Sequence, residues 1–151
     1  MAPITREDVQ NALTQAKKWR APGPDEVTAE LLLSCKAWSL PWMVELFNLC
    51  LQAQKVPQDW KDSIIVSLFK NKGCAAECNN YRGISLLSVI GKCSSHILIS
   101  RLVVIADPHL MDNQFGFRRL RGTVIANGIF QRIIESTELQ GATLVALFID
   151  F

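Results

Sequence analysis

The run Thr143-Leu144-Val145-Ala146-Leu147-Phe148-Ile149-Asp150-Phe151 constrains the fold more than any other part of the sequence. It follows a turn at Gly141 and is apolar at almost every position, the pattern of a strand buried on both faces. Such a strand needs neighbours, because every buried backbone N–H and C=O must be paired. Either an earlier segment pairs with it, or it belongs to a sheet that this chain does not contain. A strand of this kind after a mostly helical chain gives an α+β fold class.

The preceding segments carry their own signals. Thr5 with Asp8 three residues on has the form of a capping box, and Val9, Leu13 and Ala16 follow at helical spacing. Ala21-Pro22-Gly23-Pro24-Asp25 stops that helix in a rigid turn. A second helix is predicted over 27–37, and a third with Pro41 in its first turn, ending at Val56-Pro57. Ser63 to Phe69 is short and β-branched and reads as a strand. Lys70 to Gly83 is polar, with two glycines and Asn79-Asn80, and reads as a loop. Helices are predicted over 89–104, with Ile90, Ile97 and Ile105 on a buried side, and over 123–138, with Ile125, Ile129 and Ile133 in a row. Asp107-Pro108 separates them.

Composition excludes several classes. Among 151 residues, 49% are hydrophobic and 20% charged, which favours collapse into one domain over disorder. The longest stretch free of Asp, Glu, Lys and Arg is Leu139 to Ile149, shorter than the roughly 20 residues a membrane span needs, so no membrane partner is expected. The start has acids and no apolar segment, unlike a secretion signal. Five cysteines, an odd count, speak against a disulfide framework and for a reducing intracellular location, cytoplasm or nucleus.

Charge is unevenly placed. Residues 61–132 carry ten Lys+Arg against four Asp+Glu, while the flanks 1–60 and 133–151 sum to −1 and −3. A basic block between acidic flanks points to phosphate or nucleic acid as partner; a solvated basic face is the alternative.

The segments APGPDEVTAELL (21–32), WKDSIIVSLFKNKG (60–73), NNYRGISLLSVIGK (79–92), QFGFRRLRGT (114–123) and LFIDF (147–151), in this order and spacing, resemble successive motifs of the reverse transcriptases of non-LTR (LINE-type) retrotransposons. The resemblance covers almost the whole chain. It implies the fingers and first palm strand of a truncated right-hand polymerase: an N-terminal helical part (1–59), a fingers strand–loop–helix unit (60–139) and the palm strand (140–151). It further implies that Lys70 and Arg82 hold the triphosphate of the incoming nucleotide. Gln114, Phe115, Gly116, Phe117, Arg118 and Arg121 would lie beside the template and nucleotide pocket. Asp150 would be the first catalytic carboxylate and a Mg²⁺ ligand. RNA template, DNA primer and dNTP would be the partners of the complete enzyme, with the missing palm and thumb completing it. Pro22 to Asp25 would be an N-terminal turn.

The residue chemistry agrees. Arg presents a donor fork that matches phosphate oxygens, and a glycine-flanked loop can bring backbone N–H groups to phosphate. Phe115 and Phe117 suit either core packing or stacking on a base. Arg118, Arg119 and Arg121 suit backbone phosphates better than bases, because a polymerase copies any sequence. Against full activity, nucleotidyl transfer needs several carboxylates converging on two metal ions. No Tyr-x-Asp-Asp tetrapeptide occurs in the chain, and one carboxylate holds Mg²⁺ poorly. The chain alone is therefore expected to bind no Mg²⁺ and to extend no primer. Two departures from the family pattern stand near the template segment: Leu120 precedes Arg121, and Ile125-Ala126-Asn127-Gly128 carries no acid.

Two rival functions remain. One is a non-catalytic nucleic-acid-binding or protein-binding fragment derived from a retroelement. The other is a Cys₃His zinc module from Cys74, Cys78, Cys93 and His96; buried helical positions for Cys93 and His96 are the simpler alternative.

Overall fold

The computed structural model describes residues 2–149. The chain divides into two compact units, residues 1–102 and 103–151. Helices α1 (Arg6–Gln15), α2 (Ala29–Ser34) and α3 (Lys36–Ala53) come first. Strands β1 (Ile64–Phe69) and β2 (Tyr81–Leu86), then helices α4 (Val89–Ala106) and α5 (Thr123–Leu139), follow. The fold is α+β with one two-stranded antiparallel sheet among the described residues.

In the first unit the capping box forms as expected. The Thr5 hydroxyl accepts from the Asp8 N–H at 3.2 Å, and the Asp8 carboxylate accepts from the Thr5 N–H at 3.0 Å. Val9, Ala12 and Leu13 of α1 are buried against Ala29 and Leu32 of α2, Leu40, Met43 and Phe47 of α3, and Val89, Cys93 and Ile97 of α4. Trp60 closes this core, edge-on to Phe47 with ring centroids 5.7 Å apart, and lies over Gly91, where a Cβ would stand 3.0 Å from the indole Cγ. The N-terminal segment is tied down twice. The Asn48 side chain bonds both the N–H and the C=O of Ile4, at 2.8 and 2.9 Å. Arg101 donates to the carbonyls of Ala2 and Pro3 and to Asp8 at 2.9 Å.

These bonds hold Asp8 ionised and lower its pKa. The Thr5 N–H is the largest cause, opposed by burial, with Arg101 adding to it, and the carboxyl lies below its ordinary 3.8. A carboxylate whose folded pKa is lowered stabilises the fold above its unfolded pKa and loses that contribution as pH falls through the folded value. Asp8→Asn is thus expected to cost about 0.3–1 kcal/mol at neutral pH, because the site is partly solvated, with the deficit starting to shrink as pH falls to about 4 and gone only once pH is below the lowered folded value. Thermal unfolding of both chains between pH 2 and pH 7 checks this.

Several elements differ from the sequence reading. The predicted 27–37 helix is shorter, because Cys35 leaves helical geometry (φ −94°, ψ 25°) and α3 starts directly after it. Pro41 sits inside α3 and not in its first turn. The expected 70–83 loop ends at Asn80: residues 81–86 form β2, paired in register from Phe69↔Tyr81 to Ile64↔Leu86. Gly83 is therefore a strand residue opposite Ser67. Ile97 is buried as expected, but Ile105 is exposed. On length and composition Val89–His109 is apolar enough to cross a membrane, which counting charge-free stretches alone overlooked. Its first half packs in the unit's core through Val89, Cys93 and Ile97.

In the second unit α5 spans almost the predicted residues, but Ile125, Ile129 and Ile133 are all about half exposed. The apolar run does not form the expected buried strand. Residues 142–149 have no ladder partner among the described residues, and Val145, Leu147 and Phe148 are each at least 80% exposed. With no neighbouring strand, an extended segment has no backbone bonds to hold it in a sheet. Phe148 rests edge-on against Phe130 of α5, centroids 5.7 Å apart.

Candidate functional site

The β1–β2 hairpin brings two of the expected residues together. Opposed residues of an antiparallel pair point to the same face, and Leu68 opposes Arg82. The Lys70 N–H bonds the Asn80 carbonyl at 2.8 Å, which continues the register one step. Lys70 and Arg82 are therefore diagonal neighbours on one face of the ribbon, a relation that places side-chain roots roughly 7–8 Å apart or less. Both are exposed. The Lys70 ammonium donates to the Asn79 carbonyl at 2.8 Å, which fixes it over the loop and leaves its other protons outward. The Arg82 guanidinium has no hydrogen-bond or ion-pair partner among the described residues.

The loop beneath them is built and not slack. Gly73 has φ +79°, and a Cβ there would meet the Asn80 side chain at 2.5 Å. Asn80 fills that space and donates to the Cys74 carbonyl at 2.7 Å and to Glu77 at 3.2 Å. The Tyr81 hydroxyl donates to the Ala75 carbonyl at 2.9 Å, and the Tyr81 and Phe69 rings pair on the opposite face at 5.3 Å. Sequence reading picked out Lys70 and Arg82 but not Asn80 or Tyr81, which hold the loop that carries them. The adjacent Asn-Asn-Tyr before a strand was the available signal.

The 21–25 turn has a structural position. A Gly23 O···H–N Glu26 bond of 3.1 Å closes a turn with Pro24 at its second place. Gly23 is buried: a Cβ on it would stand 2.5 Å from the Ser88 nitrogen and 2.6 Å from the Leu87 carbonyl carbon. The turn is therefore packed on the link between the hairpin and α4.

In the second unit the expected template-side residues occupy one loop. Arg118 forks onto Asp107 at 2.8 and 3.3 Å and donates to the Met111 carbonyl at 2.9 Å. The Asp107 carboxyl is lowered and the Arg118 guanidinium raised, each chiefly by their mutual hydrogen bond. Arg121 donates to the Asp112 carbonyl at 3.0 Å. These two arginines hold the loop's shape. Gln114 turns back to the Gly116 carbonyl at 3.3 Å, and Phe115 is half-buried. Phe117 is fully exposed and left-handed (φ 58°), so its ring is presented to solvent and not packed in a core.

Asp150 lies outside the described residues. Among the described residues no three His, Cys, Asp or Glu side chains gather where a metal ion could be held. Cys74 and Cys78 are exposed on the hairpin loop, whereas Cys93 is buried in α4, its thiol pushed up to about 11 by desolvation.

The hairpin, turn and loop coincide with the motifs read in the sequence, and kinship identifies the class. Over most of its length the chain is homologous to the RNA-directed DNA polymerases of non-LTR retrotransposons. It is 34% identical, over 95% of its residues, to a putative 115 kDa protein in the type-1 retrotransposable element R1DM of Drosophila melanogaster. It is 30% identical over 98% to a retrovirus-related Pol polyprotein from the R1 element of Bradysia coprophila. It is 27% identical over 82% to the RNA-directed DNA polymerase of the mobile element jockey of Drosophila melanogaster. The chain spans only 14–15% of the length of these relatives. No protein-family model matches it.

Proposed function

We propose that this chain is the fingers and the start of the palm of an RNA-directed DNA polymerase, with the β1–β2 hairpin as its triphosphate grip. The carrying observation is the diagonal placement of Lys70 and Arg82 on one face of a locked hairpin, with the Arg82 guanidinium unpaired among the described residues. Two cations at this spacing, one of them a fork, suit a polyphosphate. In the complete enzyme they offset charge developing on the leaving pyrophosphate. Asp150 contributes one carboxylate to a Mg²⁺ site that needs further palm carboxylates. The hairpin's part is to bind and orient the nucleotide. Template RNA and primer DNA are the nucleic-acid partners, and Phe117 is the aromatic presented to them.

Titration of the 151-residue chain with a dNTP tests this. Lys70→Ala/Arg82→Ala is expected to weaken binding at least about tenfold, since each charge-assisted contact contributes about 1.5–3 kcal/mol. Arg82→Lys alone should recover only part of the loss. Unchanged affinity in the double variant would leave the non-catalytic reading in its place.

A further inference from the structure

Two thiols on the hairpin loop take no part in the nucleotide reading. Of the five cysteines, Cys93 is buried in α4. Cys35 precedes α3 and Cys50 lies in its last turn, about 22 Å away along the helix axis. Cys74 and Cys78 are both exposed, and one short loop holds them both.

That loop folds the second thiol back toward the first. The Glu77 N–H donates to the Cys74 carbonyl at 3.2 Å, closing a turn whose end residues lie within about 7 Å. Cys78 comes next and opens the one-turn helix Cys78–Asn80. Asn80 draws this helix onto Cys74, donating to its carbonyl at 2.7 Å. A disulfide needs Cα atoms roughly 4.4–6.8 Å apart, and residues joined through one closed turn stand near that separation. Neither thiol has a hydrogen-bond partner among the described residues. The loop's bonds run instead through carbonyls and the Asn80 and Tyr81 side chains. The sulfurs can therefore turn toward each other about their side-chain bonds with those contacts in place. A cross-link here would also fix the helix whose Asn79 and Asn80 carbonyls hold Lys70.

We propose that Cys74 and Cys78 are a site of thiol–disulfide exchange with a small disulfide, and that the intramolecular disulfide so formed locks the hairpin loop. The Cys74 thiolate attacks one sulfur of the small disulfide, whose S–S bond breaks and releases one small thiol. The Cys78 thiolate then attacks the Cys74 sulfur, and the mixed disulfide breaks to release the second. Two protein thiols are oxidised, one small disulfide is reduced, and both protons leave on the released thiols.

Incubation of the 151-residue chain with glutathione disulfide, alkylation of the remaining thiols and tryptic mapping under denaturing conditions test this. Cleavage after Lys72 and Arg82 yields one peptide that contains Cys74, Cys78 and no other cysteine. It should lose two hydrogen masses and take up no alkyl group, and dithiothreitol should restore both thiols. In timed digestion of the folded chain, the oxidised form should be cut after Lys72 at least about threefold more slowly than the reduced form, since cleavage follows local opening. Cys74→Ser/Cys78→Ser should digest alike under both conditions, and Cys35→Ser should follow the parent chain. Glutathione retained on either residue, a bond to Cys35 or Cys50, or unchanged cleavage after Lys72 in the closed form would each overturn the proposal. None of these readouts involves nucleotide, so failure of the triphosphate grip would leave them as they are.

Discussion

Phe47→Ala should destabilise the first unit by about 3–5 kcal/mol, a large share of the roughly 5–15 kcal/mol that holds an ordinary domain folded. Phe47 is 0% exposed and is the largest of the fully buried side chains that join α1, α2, α3 and α4. Removing its ring takes away the edge contact with Trp60 and leaves a cavity that the surrounding helices cannot fill, because Asn48 and Arg101 pin the N-terminal segment across the same core. Urea unfolding followed by tryptophan emission is the appropriate measurement. Trp19, Trp38 and Trp42 are each at least 66% exposed, so the change in emission reports mainly on Trp60. Phe47→Leu should retain more than half of the lost stability. A loss below about 1 kcal/mol for Phe47→Ala would mean that these helices do not share one core.

The second large effect falls on Gly23. Any Cβ at this position meets backbone, 2.5 Å from the Ser88 nitrogen and 2.6 Å from the Leu87 carbonyl carbon. Neither atom can swing aside as a flexible side chain would. Pro22 and Pro24 fix φ on both sides, so the turn cannot re-route. Gly23→Ala is expected to cost about 1–3 kcal/mol, and Gly23→Val should abolish the cooperative transition at 25 °C. The turn seats the hairpin on α4, so Gly23→Ala should also weaken dNTP binding before the unit unfolds. Parallel thermal melts and dNTP titrations check both parts. A Gly23→Ala chain with parental stability would show that the turn stands away from the 87–88 backbone.

What the sequence disclosed was local. The Thr5–Asp8 capping box, β1, the break at Asp107-Pro108 and the extent of α5 all follow from signals within a few residues of each other. Long-range pairings were not legible. Tyr81-Arg82-Gly83-Ile84-Ser85-Leu86 looks polar and glycine-broken on its own, and becomes a strand only because Ile64–Phe69 folds back onto it. Pro41 matches a helix start by type, yet α3 begins five residues earlier, where Cys35 leaves helical geometry. Arg118 looked like a phosphate ligand because nothing in sequence marks Asp107, eleven residues before it, as its partner. The 143–149 run has the composition of an inner strand, but composition cannot supply the neighbour that a strand needs. At the candidate site, Lys70 and Arg82 were legible by residue type and motif. Their common face depends on the register of the hairpin, and the loop's lock depends on Asn80 reaching across to Gly73.

Photoaffinity labelling bears most directly on the hairpin as a triphosphate grip. A nucleoside triphosphate carrying an azide on its terminal phosphate, irradiated with the 151-residue chain and mapped by peptide mass spectrometry, should leave its adducts within residues 70–82. The labelling should be lost in Lys70→Ala/Arg82→Ala and suppressed by excess dNTP. Dominant adducts elsewhere in the chain, unaffected by the double substitution, would contradict it.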